Sequence, residues 1–169
     1  MNTTAVGSYA NASGAYSTAL GFKTAASNED SVALGNYSTS AGKSAFAAGT
    51  LANAAEKDSL AIGHSATTTK ENGIAIGTNA TVDGVDSIAI GKAANIAKAG
   101  SIVIGRNTTA DELAVSIGTD SVATGWGGTA VGTISKATGA QSTAIGDNAQ
   151  ASDTYSTALG VSSVASGRA

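Results

Sequence analysis

Leu60-Ala61-Ile62-Gly63 is followed 14 residues later by Ile74-Ala75-Ile76-Gly77, and after another 14 by Ile88-Ala89-Ile90-Gly91. Working outward, the same glycine returns as Gly7, Gly21, Gly35 and Gly49 on one side. On the other side it returns as Gly105, Gly118, Gly132, Gly146 and Gly160. The step is 14 throughout, apart from 13 between Gly105 and Gly118. A period of this length over twelve copies predicts a stacked repeat architecture. It also assigns function to a long surface and not to one pocket.

Each copy has the same internal pattern. The residue before the glycine is Val, Leu, Ile or, once, Ala48. The residue two before it is Ala in ten of the twelve copies, with Val103 and Ser116 as exceptions. Three before it, β-branched types dominate. Three such residues in a row predict a short strand buried on both faces. The third and fifth residues after the glycine are small, as in Ala52 and Ala54, and the fourth is mostly polar. That alternation predicts a second strand with one face inward. Charged residues avoid the three positions before the glycine and the third and fifth after it, and cluster in a second turn, as in Glu29-Asp30, Glu56-Lys57-Asp58 and Lys70-Glu71. In that turn Gly14, Gly42, Gly84, Gly125, Gly139 and Gly167, or Asn28 in the same slot, predict a left-handed backbone at a tight corner.

The unit is therefore strand, turn, strand, turn. Stacked copies give an all-β parallel β-solenoid (β-roll) of about twelve rungs, roughly 55–60 Å long at about 4.8 Å per rung. The 13-residue step falls in the Asp111-Glu112-Leu113 turn, where a deletion leaves strand register intact.

Fourteen residues enclose little space, so the two walls must face each other with small side chains. Ala two before the glycine fits that role. The flanking pair then points outward and forms a ladder of Val, Leu and Ile. Its central members are Val32, Leu34, Leu60, Ile62, Ile74, Ile76, Ile88, Ile90, Ile102, Ile104, Val115 and Ile117. The opposite parity, with the large pair inside and an Ala ladder outside, satisfies the same alternation. With either parity the first strand needs a second cover that only partner chains supply, which predicts a homo-oligomer; with the large pair outward, these residues form its interface. Phe46 with Ala48 reads as a volume swap within one layer.

Composition narrows the function. The net charge is −3, and charged residues make up 12% of the chain with no basic stripe, so nucleic acid is not an expected partner. No apolar run is long enough to span a bilayer, and no signal peptide is evident. There is no cysteine, which removes thiol chemistry. His64 is the sole histidine and sits in a turn, and Asp83 and Asp86 lack the nonapeptide calcium-roll pattern. Neither a metal, nor a cofactor, nor a catalytic site is expected. The outward slot of the second strand runs Asn11, Ala25, Thr39, Asn53 and onward too irregularly for an ice-binding face. A hexapeptide acyltransferase has a period that does not divide 14. The ligand-contact candidates are Trp126, set among glycines, together with Tyr9 and Tyr37 at corners. Tyr16 and Tyr155 lie at similar places.

Ser31-Val32-Ala33-Leu34-Gly35, Ser59-Leu60-Ala61-Ile62-Gly63, Ser87-Ile88-Ala89-Ile90-Gly91 and Ser142-Thr143-Ala144-Ile145-Gly146 resemble the SVAIG-type head repeats of trimeric autotransporter adhesins. These are the YadA-like surface proteins of Gram-negative bacteria. The resemblance covers essentially the whole chain. Ala45-Phe46-Ala47-Ala48-Gly49, Ser101-Ile102-Val103-Ile104-Gly105 and Ala114-Val115-Ser116-Ile117-Gly118 depart from it modestly. It implies a left-handed roll, three chains around a threefold axis, and residues 1–169 as one head domain. It implies adhesion to host cells or matrix proteins such as collagen, fibronectin or laminin, or self-association of the bacteria. It also implies an outer-membrane location through a C-terminal anchor that this sequence does not contain, so the expectation is a head fragment. A rigid spacer without its own ligand is the alternative.

Overall fold

The computed structural model describes residues 2–167. Two parallel sheets run the length of the rod, each 12-stranded. The first, sheet A, contains the three-residue strands that precede each marker glycine, from β1 (Thr4–Val6) through β11 (Ile74–Ile76) and β13 (Ile88–Ile90) to β23 (Thr157–Leu159). The second, sheet B, contains two-residue strands, from β2 (Asn11–Ala12) to β24 (Val164–Ala165). Odd strands pair only with odd and even only with even, so every turn of chain adds one strand to each sheet. Equivalent residues stack directly: Ile74 on Ile88, Ala75 on Ala89, Ile76 on Ile90.

The parity left open by the sequence is decided by burial. Ala19, Ala33, Ala61, Ala75 and Ala89 are fully buried, whereas Ile62 and Ile90 are exposed. The interior is lined by Ala, Ser and Thr, with Val82, Ile96 and Val103 as its largest side chains. The exception at Ser116 is satisfied across the interior, its hydroxyl 2.9 Å from that of Ser121. Thus one polar pair replaces an Ala–Ser contact without leaving an orphan group.

The marker glycines have φ between 117° and 143°, a region that side chains rarely enter. Space is the stricter limit. A Cβ at Gly77 would lie 2.4 Å from the carbonyl oxygen of Gly91, and one at Gly91 would lie 2.1 Å from that of Gly105. The period of 14 is therefore the period at which backbone meets backbone at the first corner. Small hydroxylated residues complete this corner: Thr24 Oγ1 donates to the Gly21 carbonyl at 2.8 Å, and Ser135 Oγ to that of Gly132 at 2.9 Å.

Left-handed backbone does occur at both corners, but not at the second-turn glycines. Gly14, Gly42, Gly84, Gly125 and Gly139 lie outside that region. The left-handed residue comes two positions later, at Tyr16, Ser44, Asp86, Gly127 and Gln141, and two positions after each marker glycine, at Tyr9, Lys23 and Tyr37. The correction has a physical reason. A second-turn Cβ would strike the neighbouring rung, at 1.9 Å from the Asn28 oxygen for Gly14, so close approach and not handedness selects glycine there. The expectation for Gly167 is not met either: no left-handed φ and no neighbouring contact are found there. Left-handed residues turn their N–H along the rod, as Lys23 N to Ser8 O at 3.0 Å and Asp30 N to Ala15 O at 2.9 Å. The inter-rung hydrogen bonding thereby continues around the corners, which offsets a conformational cost of about 1 kcal/mol or more per residue.

Ile134 is the one β-branched residue forced into this conformation, with φ 58°. Ile134→Asn should raise stability by about 1 kcal/mol, because Asn tolerates this backbone and Ile does not. Thermal melts of the two chains check this.

The short rung behaves as its place in the sequence predicts. Ile102 pairs with Val115 and Thr109 with Val122, so register survives the lost residue. Ala114 fills the buried slot that Ser occupies at most rungs, and Leu113 takes the left-handed position, its N–H donating to Ala99 O at 3.0 Å.

Candidate functional site: an apolar ladder and an aromatic corner

Sheet A turns two columns of large side chains outward. One runs Val32, Phe46, Leu60, Ile74, Ile88, Ile102, Val115, and the other Leu34, Ala48, Ile62, Ile76, Ile90, Ile104, Ile117. Members of each column cover one another along the rod, and their outer surfaces stay open: Ile90 is 36% exposed and Ile104 40%. Thr4 and Thr18, then Thr129, Thr143 and Thr157, continue the first column at its two ends. The twelve residues anticipated for an interface therefore share a single continuous face, greasiest at mid-rod. A stripe of this length is more apolar surface than a soluble monomer ordinarily leaves in water.

Tyr9 and Tyr37 come together at the N-terminal end of the first corner, joined by Phe22. The Tyr9 and Phe22 ring centroids are 6.0 Å apart and those of Phe22 and Tyr37 5.4 Å, both edge to face. The Lys23 ammonium lies 5.3 Å from the Phe22 centroid, 5.4 Å from that of Tyr37 and 6.0 Å from that of Tyr9. Neither Phe22 nor Lys23 was singled out by the sequence reading. The signal was available: Tyr9, Lys23 and Tyr37 are spaced by 14, which makes them one column. Trp126 is not part of this group. It sits at the second corner between Gly125 and Gly127, exposed, its carbonyl accepting from Gln141 N at 2.7 Å. Tyr16 and Tyr155 also occupy second-corner positions.

The charged second corner ties rungs together. Lys43 meets Glu29 at 2.5 Å and Lys98 meets Asp111 at 3.0 Å. Thr69 donates to Asp83 and Asn72 to Asp86, at 2.6 and 2.7 Å. The two carboxylates weighed for a cation thus serve as rung-to-rung acceptors. Hydrogen bonding to Glu29, then its charge, raises the Lys43 pKa, and Asp58 does the same for Lys57. All these groups are solvated, so Glu29→Ala should leave the midpoint of a denaturant titration essentially unchanged. His64 is exposed, no three metal-ligating side chains converge among the described residues, and those residues enclose no pocket.

These features define a β-solenoid repeat protein. The family described as YadA head domain repeat (2 copies) matches at residues 1–24, 26–52, 40–66, 54–80, 69–94, 97–127, 112–133, 123–149, 137–163 and 151–168. The chain belongs to that family of adhesin-head repeats. Among solved structures it is similar to the collagen-binding domain of the Yersinia adhesin YadA. The two are 24% identical, over 94% of this chain and 70% of that one, with a TM-score of 0.46. No curated protein sequence matches.

Proposed function

We propose that this chain is the head domain of a trimeric adhesin displayed on a Gram-negative cell surface, attaching the bacterium to host cells or extracellular-matrix macromolecules. One observation carries the reading: matches to YadA head repeats run along nearly the whole chain, and the rod they build bares one unbroken apolar ladder. Three copies packing those ladders together would leave sheet B and the corners outward in triplicate. At about 25 cal/mol per Å² of apolar surface, covering the ladder is the main source of assembly energy. The outward surfaces would then act by avidity, with weak contacts repeated along and around the rod. The role is binding and not catalysis. Tyr9, Tyr37 and Trp126 are the side chains proposed to touch a ligand.

The test is a solid-phase assay against collagen, fibronectin and laminin, with the assembled protein and an Ile90→Asp chain side by side. Binding by the assembly, reduced at least about tenfold in the unassembled chain, is the expected result. Equal binding by both removes the avidity mechanism. Binding by neither leaves the rod as a spacer.

A further inference from the structure

The two corners differ in charge. The second corner holds ten of the twelve carboxylates, and the first holds only Asp120 and Asp147. Along the first corner from Ser8 to Arg106 the charged residues are Lys23, Lys92 and Arg106, with no acid among them. Arg106 is paired with Asp120 at 3.3 Å, whereas among the described residues Lys23 has no carboxylate partner. Its ammonium lies near three aromatic rings, which attract a cation without neutralising it. Tyr9 and Tyr37 are exposed, and Phe22 between them is 39% exposed. Their backbone is already engaged: Lys23 N donates to Ser8 O and Tyr37 N to Phe22 O. Recognition at this corner therefore rests chiefly on side chains. They offer ring faces, two phenol hydroxyls and one uncompensated positive charge.

We propose that the Tyr9–Phe22–Lys23–Tyr37 corner is a binding site for acidic saccharides. The apolar C–H face of a sugar ring packs on exposed aromatic rings, the phenols bond to its hydroxyls, and Lys23 pairs with its carboxylate or sulfate. Tyr9 and Tyr37 are two rungs apart, roughly 10 Å, so the strip accommodates more than one sugar ring. An acidic peptide matches the charge but brings no flat C–H face to stack on the rings. Nucleic acid is disfavoured by the acidic second corner and the net charge of −3. The inference names a ligand class for the corner on which the adhesin reading places contacts, and it relies on that reading only for its biological purpose.

The experiment measures binding to the full chain by surface plasmon resonance and saturation-transfer NMR. The probes are a heparin-derived tetrasaccharide for sulfate, sialyllactose for carboxylate, lactose as the neutral analogue, and an Asp/Glu-rich peptide. At least one acidic saccharide should bind, and lactose should bind at least about tenfold more weakly. Lys23→Gln should weaken the acidic saccharide about tenfold or more, and Tyr37→Asn, which keeps a residue suited to the left-handed corner, should weaken it severalfold. Lys92→Gln, a cation on the same corner without rings, should change nothing. That pattern supports the site whatever the matrix-protein panel returns. Absence of saccharide binding, equal binding of lactose, tighter binding of the peptide, or indifference to Lys23→Gln overturns it, even if matrix proteins bind normally.

Discussion

Ile90→Asp is expected to abolish assembly while leaving each rod able to wind. In the single chain Ile90 is 36% exposed, so an aspartate there meets water and is tolerated. In a three-chain assembly closed by the sheet A ladder, three carboxylates would meet without partners. Burying an unpaired charge costs several kcal/mol per group, and each lost Ile removes a further 1.5–3 kcal/mol or so of apolar burial. The sum exceeds what most assemblies can lose. Size-exclusion chromatography with light scattering, combined with circular dichroism, checks both halves of the expectation. An assembly of unchanged size and melting temperature would show that the ladder is not the interface.

Gly77→Ala is expected to be among the most damaging single-methyl changes in the chain. The added carbon would lie 2.4 Å from the Gly91 oxygen and 2.6 Å from its carbonyl carbon, and both are backbone atoms with no rotamer to escape into. The residue also sits at φ +133°, itself a cost of about 1–3 kcal/mol for an L side chain. Together these predict a loss of about 4 kcal/mol or more, in the range seen only for named structural faults. Gly160 provides the control. Its φ is +117°, yet a Cβ there meets nothing within 4 Å. Gly160→Ala should therefore show the conformational cost alone, and denaturant titration of the two variants isolates the clash between rungs. Equal losses would mean that handedness, and not stacking, explains the period.

The contrast between these glycines also shows why some features were legible in the sequence and others were not. Period, strand pair and register repeat at every rung, so twelve copies state them twelve times. Val103 and Ser116 were visible as exceptions, and the structure gives Ser116 its partner in Ser121. The 13-residue step was legible because the residues on both sides of Asp111-Glu112-Leu113 keep their pattern. Corner geometry was harder. Second-turn glycine suggested handedness, but the left-handed φ falls two residues later, where Tyr16, Asp30, Ser44 and Gln141 share no side-chain chemistry. Their common property is an N–H aimed along the rod, and no side chain reports that. The aromatic corner was missed for a different reason. Phe22 sits one residue before the Tyr9–Lys23–Tyr37 column, and only the coil brings the offset ring between the two tyrosines.

The ladder also explains how so thin a rod can persist. Its interior is mostly Ala, Ser and Thr, and such small side chains contribute little apolar burial each. The large aliphatic side chains are on the outside of sheet A. Contact between copies would add the hydrophobic burial that the interior lacks, so assembly is expected to stabilise each rod. Sedimentation equilibrium over a dilution series tests this most directly. The predicted result is a species of three times the 16.1 kDa chain mass, persisting through the micromolar range. An unmutated chain that is monomeric at micromolar concentration would contradict it.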